Sequence, residues 1–239
     1  MKILVLLLSL VMFTFTSIQA TATTDQESSI DKTASLYKKR KPLFLLVTGC
    51  ARSGTAYISQ FLRISGVDTP HESIGADGCV SWLMAADTIH APYGPGSAKF
   101  AFEHTFHQVR DPLKTIASLA MEPEPAWNFV RNNVPEIKSD DSLLTRCAKY
   151  WIYWNRMAEK KAEWTYRIED LSKVVGEMEQ RLGRPLDRSL FKTLSKNTNG
   201  RYPDKKKYTW KDLEDDLDPK LFKKLQSVAT HYGYPIKDK

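Results

Sequence analysis

The chain has 239 residues, 42% of them hydrophobic, and a formal net charge of +7. This length and composition suffice for one domain with a hydrophobic core, and the absence of internal repeats excludes a repeat protein. The basic balance suits an anionic ligand, but the charge is spread too evenly to indicate a nucleic-acid-binding protein.

The first 22 residues have the pattern of a secretory targeting segment. Lys2 precedes an apolar run at residues 3–15, and residues 20–22 read Ala-Thr-Ala, which matches the cleavage pattern of a signal peptide. An uncleaved signal anchor is the alternative, although the run is shorter than the about 20 residues that cross a bilayer. In both cases we expect the rest of the chain to face the secretory lumen.

A polar segment follows and separates the targeting segment from the folded part. Residues 23–41 are polar and end in the basic run Lys-Lys-Arg-Lys. Such a composition predicts a disordered stem. We therefore expect the folded domain over residues 42–239.

The domain begins with a predicted strand, a glycine loop and a helix. A short apolar run at residues 43–47 indicates a buried parallel strand, and apolar residues at helical spacing indicate a helix over residues 55–64. Between them, Gly49 and Gly54 let the backbone curl around a ligand, and Arg52 adds a positive charge. Loop N–H groups and the helix dipole then favour a ligand with phosphate-like oxygens.

The glycine spacing of this loop matches a Walker A motif, but two key side chains differ. Thr55 stands where that motif needs its phosphate-binding lysine, and Ala56 stands where it needs a Mg²⁺-binding hydroxyl. A kinase or NTPase of this class would lack both groups. The loop therefore favours an anion that is bound without Mg²⁺.

His71 and Glu72 are candidates for a general base. They follow a second strand predicted over residues 66–69, and ligands of open α/β sheets bind beyond the carboxyl ends of the strands. Either side chain could take a proton from an attacking hydroxyl. The alternative is a solvated turn whose histidine caps a helix, and the residues alone leave the choice of base open.

The remaining pattern alternates between strands and helices, which predicts a three-layer αβα fold around a central parallel sheet. Strands are predicted over residues 99–110 and 164–168. Helices are predicted over residues 81–87, 113–121, 127–133, 172–182 and 186–195, over a long segment capped by Ser139 or Asp140 that ends near Ala162, from Trp210, and from Asp218 to about His231.

No metal site is expected. Glu103, His104 and His107 do not have the spacing of a zinc motif, and neither do the three cysteines. In an oxidising compartment two cysteines can pair, and Cys79 with Cys147 is the expected pair because Cys50 lies in the ligand loop.

Two motifs together resemble the sulfotransferases that use 3′-phosphoadenosine 5′-phosphosulfate (PAPS). Residues 49–55 read Gly-Cys-Ala-Arg-Ser-Gly-Thr, similar to the phosphosulfate loop of that family. Arg110-Asp-Pro follows a predicted strand, and Ser118 comes eight residues after Arg110, as in the family's 3′-phosphate motif. The resemblance extends over residues 43–234, and the pair of motifs carries most of its weight.

The resemblance implies a P-loop type of nucleoside-phosphate-binding fold and transfer of a sulfuryl group from PAPS, without a metal, to an acceptor hydroxyl. Family members of the secretory lumen and Golgi act on glycans, glycolipids or tyrosines, and a carbohydrate or glycoconjugate is the expected acceptor here. Arg52 would stabilise the developing charge, and Glu72 or His71 would be the base, since family branches use either residue type. The implied cofactor contacts are Gly49, Cys50, Ala51, Arg52, Ser53, Gly54, Thr55, Ala56, Arg110, Ser118 and, in a late basic loop, Arg201.

Two other functions stay open at this point. One is a P-loop kinase or NTPase, which Mg²⁺-dependent activity would reveal. The other is a non-catalytic binder of a phosphorylated nucleotide, which would bind PAPS without turnover.

Overall fold

The structure, a computed structural model, describes residues 42–86, 100–194 and 206–237. The predicted targeting segment, the predicted stem and Arg201 lie outside the described residues.

Four parallel strands form the sheet seen in these ranges, in the order β2-β1-β3-β4. The strands are β1 (Leu43–Gly49), β2 (Gly78–Val80), β3 (Phe102–Val109) and β4 (Trp164–Arg167). On the central strand β1, Val47 pairs with Val80 on one side and with Phe106 on the other. The strand is buried from Leu45 onward, as its unbroken apolar run predicts for a parallel strand.

Helices cover both faces of the sheet, which confirms the predicted α/β class with a central parallel sheet. Leu45 and Val47 pack on one face, whereas Leu46 points to the other. Alternate burial of this kind requires a helical layer on each side. The helices are α1 (Thr55–Ile64), α2 (Pro112–Leu119), α3 (Glu124–Asn133), α4 (Leu143–Lys161), α5 (Leu171–Leu182), α6 (Leu190–Thr193), α7 (Trp210–Asp216) and α8 (Pro219–His231).

The two helical layers contain different cores. Residues of α1, α5 and α6 pack on the face that carries Val47. Residues of α2, α3, α4, α7 and α8 form a larger core on the opposite face, with the fully buried Trp151 and Trp154 of α4 at its centre. Trp151 and Trp154 therefore belong to the core rather than to a surface of the domain.

Side-chain caps explain where several helices begin. Asp111 accepts a hydrogen bond from the N–H of Lys114 at the start of α2, and Asp218 caps α8 as predicted. The cap of α4 is Ser142, so the prediction of Ser139 or Asp140 is wrong. Residues 138–141 instead form a turn in which the N–H of Lys138 donates to the carboxylate of Asp141.

The second strand lies further along the chain than predicted. Residues 66–69 form no strand; Asp68 accepts from the N–H of Ala76 (2.8 Å) and thereby closes a loop before β2. Gly78 then pairs with β1 so closely that a Cβ would lie 1.9 Å from the Leu45 oxygen. His71 precedes β2 rather than following a strand, and a bridge to Val80 holds it beside the sheet.

Two other predicted helices are shorter than expected. The segment predicted as a helix over residues 81–87 contains one 3₁₀ turn, Leu83–Ala85. The helix predicted over residues 186–195 is reduced to the single turn of α6, because the N–H and hydroxyl of Ser189 both bind the Asp187 carboxylate just before it.

The three cysteines are free and buried, so the predicted Cys79–Cys147 disulfide is wrong. Cys79 of β2 packs beside Leu46, its partner on β1, whereas Cys147 packs in the core around α4. Burial raises the pKa of both thiols to about 12.

His107 is a buried structural histidine of β3. Its ring nitrogens lie 3.2 Å from the Thr165 hydroxyl and 3.1 Å from the Asn155 side-chain oxygen. Burial lowers its pKa to about 4, so the imidazole is neutral at physiological pH.

Candidate functional site

The glycine loop connects β1 to α1 at the carboxyl end of the sheet. Gly49 lies so close to β3 that a Cβ would be 2.1 Å from the Gln108 oxygen, and therefore only glycine fits. Gly54 precedes α1 with a φ of 92°, in the left-handed region that glycine adopts readily. The first N–H groups of α1 have no acceptor within the helix, as at every α-helix start, and are available to an anion.

Buried side chains from the neighbouring strands hold the loop in place. The Gln108 amide donates to the Ser53 carbonyl (2.9 Å) and accepts a hydrogen bond from the Tyr166 hydroxyl (2.7 Å). Arg110, just after β3, donates to the Arg52 carbonyl (2.8 Å). These bonds use loop carbonyls, and two loop N–H groups also have partners: that of Ser53 donates to the Cys50 carbonyl (3.2 Å) and that of Ala51 donates to the Tyr150 hydroxyl (3.3 Å).

The Ser53 hydroxyl is fully buried and has no hydrogen-bond partner among the described residues. Its oxygen lies 3.4 Å from the position that a Cβ of Gly49 would take, so the side chain lies close to the first residue of the loop. A buried unpaired hydroxyl costs free energy, and native structures rarely contain one without a reason. A ligand in the loop would supply the missing partner.

Arg52 and Glu72 both have strained backbones. Their φ values are 67° and 54°, and within the described ranges they are the two non-glycine residues with positive φ. Such conformations cost on the order of 1–3 kcal/mol and concentrate at functional sites. Two charged residues that were singled out from the sequence therefore coincide with the two strained positions.

The loop borders a cavity of about 250 Å³. Four of its lining residues are arginine, histidine or glutamate, and three are large aromatic residues. These residues are Arg52, His71, Glu72, Glu122, Trp82, Trp127 and Tyr150. The cavity thus combines the glycine loop, candidate proton acceptors and aromatic walls.

His71 and Glu72 lie at the mouth of the loop. The Nε2 atom of His71 is 2.9 Å from the hydroxyl of Thr55, the first residue of α1, and 3.5 Å from the Glu72 carboxylate. Burial, with a smaller contribution from Arg52, lowers the pKa of His71. Burial, with a smaller contribution from Glu122, raises the pKa of Glu72. The imidazole is thus biased toward its neutral form, and the carboxylate becomes a stronger base.

The other residues singled out from the sequence occupy different surroundings. Arg110 reaches the loop as described, and burial lowers its pKa. Ser118 is buried in α2, where its hydroxyl donates to the Lys114 carbonyl (3.1 Å). The Cys50 side chain packs in the core around α4, and burial raises its pKa well above the ordinary value. Only the backbone of Cys50 is therefore suited to contact a ligand. Ala56 is partly exposed on α1.

Glu122 and Tyr150 also belong to the site, and the sequence does not mark them. The Glu122 carboxylate lies 3.5 Å from Arg52 Nε, and the Tyr150 hydroxyl accepts a hydrogen bond from the N–H of Ala51 (3.3 Å). Glu122 stands in a segment that breaks a helix, and Tyr150 belongs to the aromatic run of α4. No local pattern marks either residue, because tertiary packing brings both to the cavity.

No protein-family model matches the chain, and neither curated proteins nor solved structures provide a match. In the parts of the chain that the structure describes, no helix has the length and hydrophobicity to cross a membrane, and no cluster of three or more potential metal ligands occurs.

Proposed function

We propose that the protein is a PAPS-dependent sulfotransferase with a P-loop type of fold, which transfers a sulfuryl group to the hydroxyl of a carbohydrate or glycoconjugate in the secretory pathway. One observation carries this proposal: the glycine loop, through Arg52, lines the same cavity as two candidate bases, His71 and Glu72. The two sequence motifs suggest which anion the loop holds.

The residues of the loop fit the charge of such a donor. The loop N–H groups, the Ser53 hydroxyl and the Arg52 guanidinium would hold its 5′-phosphosulfate group, and Arg110 with Ser118 would hold its 3′-phosphate. PAPS supplies an activated sulfuryl group. Arg52 would stabilise negative charge that develops during transfer, in a largely buried position where such interactions are strong.

The acceptor hydroxyl must lose its proton as it attacks. Glu72 is suited to this role because its raised pKa makes it the stronger base, and His71 because its lowered pKa keeps it able to accept a proton. Thr55, within hydrogen-bond distance of His71, orients the imidazole at the loop. The partly exposed Trp82 offers a flat face on which a sugar ring could lie, whereas Trp127 is 1% exposed and has the Arg146 guanidinium over its ring.

Calorimetric titration of the full chain with 3′-phosphoadenosine 5′-phosphate, without Mg²⁺, tests donor binding. We expect micromolar affinity, about −8 kcal/mol, and weaker binding of adenosine 5′-phosphate. Arg110→Ala should abolish the preference for the 3′-phosphate. Arg181→Ala, which removes a surface arginine paired with Glu177 on α5, is the matched control. A folded protein that binds neither nucleotide would refute the proposal.

A transfer assay with labelled PAPS and a panel of glycans tests catalysis. Glu72→Gln and His71→Gln should be compared, because loss of a general base lowers kcat about 10²–10⁴-fold. Donor binding with no transfer to any acceptor would favour the non-catalytic binder, and Mg²⁺-dependent nucleotide hydrolysis would favour the NTPase.

A further inference from the structure

Glu122 is a largely buried carboxylate beside the glycine loop, and the proposed transfer does not use it. It follows α2, where its N–H donates to the Leu119 carbonyl (3.0 Å) and its own carbonyl accepts from the Trp127 indole (3.4 Å). These two bonds fix its backbone at the edge of the cavity. From this position its side chain reaches Arg52.

The Glu122 carboxylate neutralises the cation that the loop would present to an anion. Its Oε1 atom lies 3.5 Å from Arg52 Nε, and the two side chains are only 16% and 15% exposed. Ion pairs with so little exposure are screened weakly by salt. An anion that approached Arg52 would also approach Glu122, and two negative groups around one guanidinium repel each other.

We propose that Glu122 is a resident counter-ion of Arg52, which the anionic group of the donor displaces when it binds. Glu122 then acts as a positioning residue: it holds the Arg52 side chain at the cavity before the donor arrives, and it lowers the affinity of the loop for anions. The identity of the donor rests on the proposed function, but the displacement requires only an anion at Arg52.

The test compares two glutamines in the full chain. Glu122→Gln removes the carboxylate at Arg52, whereas Glu124→Gln makes the same charge change two residues away, at a side chain that is 59% exposed and paired with Arg131 and Arg146. Titration with inorganic pyrophosphate and with 3′-phosphoadenosine 5′-phosphate gives the affinities. We expect Glu122→Gln to tighten binding about tenfold, or about 1.4 kcal/mol, and Glu124→Gln to leave it unchanged.

A double-mutant cycle shows whether Glu122 acts through Arg52. In an Arg52→Ala background the gain from Glu122→Gln should be smaller, because the competition for the guanidinium is lost and only the direct repulsion between Glu122 and the anion remains. Glu122→Asp, which keeps the charge, should stay close to the unmodified protein. A merely structural role would instead weaken binding in each variant and lower the melting temperature.

The outcomes separate this inference from the proposed function. If pyrophosphate binds and Glu122→Gln tightens it, but the nucleotide shows no 3′-phosphate preference, the counter-ion role stands and the sulfotransferase proposal fails. If the nucleotide binds but Glu122→Gln has the same affinity as Glu124→Gln or a weaker one, the counter-ion role is wrong. Absence of any anion binding to the folded chain overturns it as well.

Discussion

Tyr166→Phe tests whether buried side chains beneath the loop hold it in shape. The Tyr166 hydroxyl donates to the Gln108 amide oxygen, and the amide nitrogen of the same side chain donates to the Ser53 carbonyl. Gln108 is fully buried and Tyr166 is 4% exposed, so water cannot replace the lost hydroxyl without rearrangement. The substitution removes one oxygen atom and leaves the ring in place.

The expected loss follows from the amide oxygen that stays unpaired. A buried acceptor without a partner costs about 1–3 kcal/mol, and we expect the free energy of unfolding to fall by that amount. For a domain of this size, each kcal/mol corresponds to about 2–4 °C in melting temperature. Because Gln108 also loses its fixed orientation, binding of an anion by the loop should weaken.

Urea unfolding of Tyr166→Phe and of Tyr153→Phe measures the effect. In the control, the Tyr153 hydroxyl accepts a hydrogen bond from Lys224, whose partly exposed ammonium group water can solvate, so we expect a loss below about 0.5 kcal/mol. Equal losses in the two variants, or a loss below about 0.3 kcal/mol for Tyr166→Phe, would refute the reasoning.

Three further predictions concern the loop and the sheet beneath it. Gly49→Ala should lower the free energy of unfolding by more than about 3 kcal/mol, because its Cβ would lie 2.1 Å from the Gln108 oxygen. Gly66 has a positive φ, but within the described ranges no atom beyond its chain neighbours lies within 4 Å of an added Cβ, so Gly66→Ala should lower that free energy by about 1 kcal/mol. Chemical unfolding measures both losses. Ser53→Ala should leave the free energy of unfolding unchanged or slightly higher, since it removes a buried hydroxyl without a partner among the described residues, yet it should weaken anion binding in calorimetry. Because the pKa of His107 falls from 6.5 to about 4 on folding, the unfolded chain takes up the proton first as the pH decreases. The free energy of unfolding should therefore fall by up to about 3 kcal/mol between pH 6.5 and 4, and His107→Gln should flatten that decline.

Each of these predictions has a result that contradicts it. Similar losses of unfolding free energy for Gly49→Ala and Gly66→Ala would mean that β1 and β3 can move apart at Gly49 with little loss of stability. A clear destabilisation by Ser53→Ala would show that the hydroxyl has a partner in the free protein. If the free energy of unfolding of His107→Gln falls with pH as steeply as that of the unmodified protein, other titratable groups cause the decline.

The segment from β1 to α1 could be predicted from the sequence because its signals are local. An unbroken apolar run, two glycines and helical spacing follow one another, and α1 begins and ends at Thr55 and Ile64 as expected. β1 extends two residues beyond its apolar run, through Thr48 to Gly49, because pairing with β3 continues to that point. Here local preference and tertiary structure agree.

The next segment shows why a short strand is hard to place. β2 has three residues, and its position depends on the close approach of Gly78 to β1, which no periodicity reveals. The sequence predicts His71 and Glu72 as candidates on the expectation that they follow a strand. They lie at the cavity for another reason, because the loop closed by Asp68 carries them there. The prediction thus names residues of the cavity without the correct topology.

The three buried thiols can report when the folded domain opens to solvent. A thiol reacts as its thiolate, and burial raises the pKa of Cys50, Cys79 and Cys147, so labelling reagents reach them only when the surrounding structure opens. One thiol lies in the glycine loop, one on β2 and one in α4. Equal labelling rates would report a single global opening, and faster labelling of Cys50 would report local opening of the loop. The chain therefore allows the kinetics of its ligand loop to be measured apart from those of its core, without an introduced label.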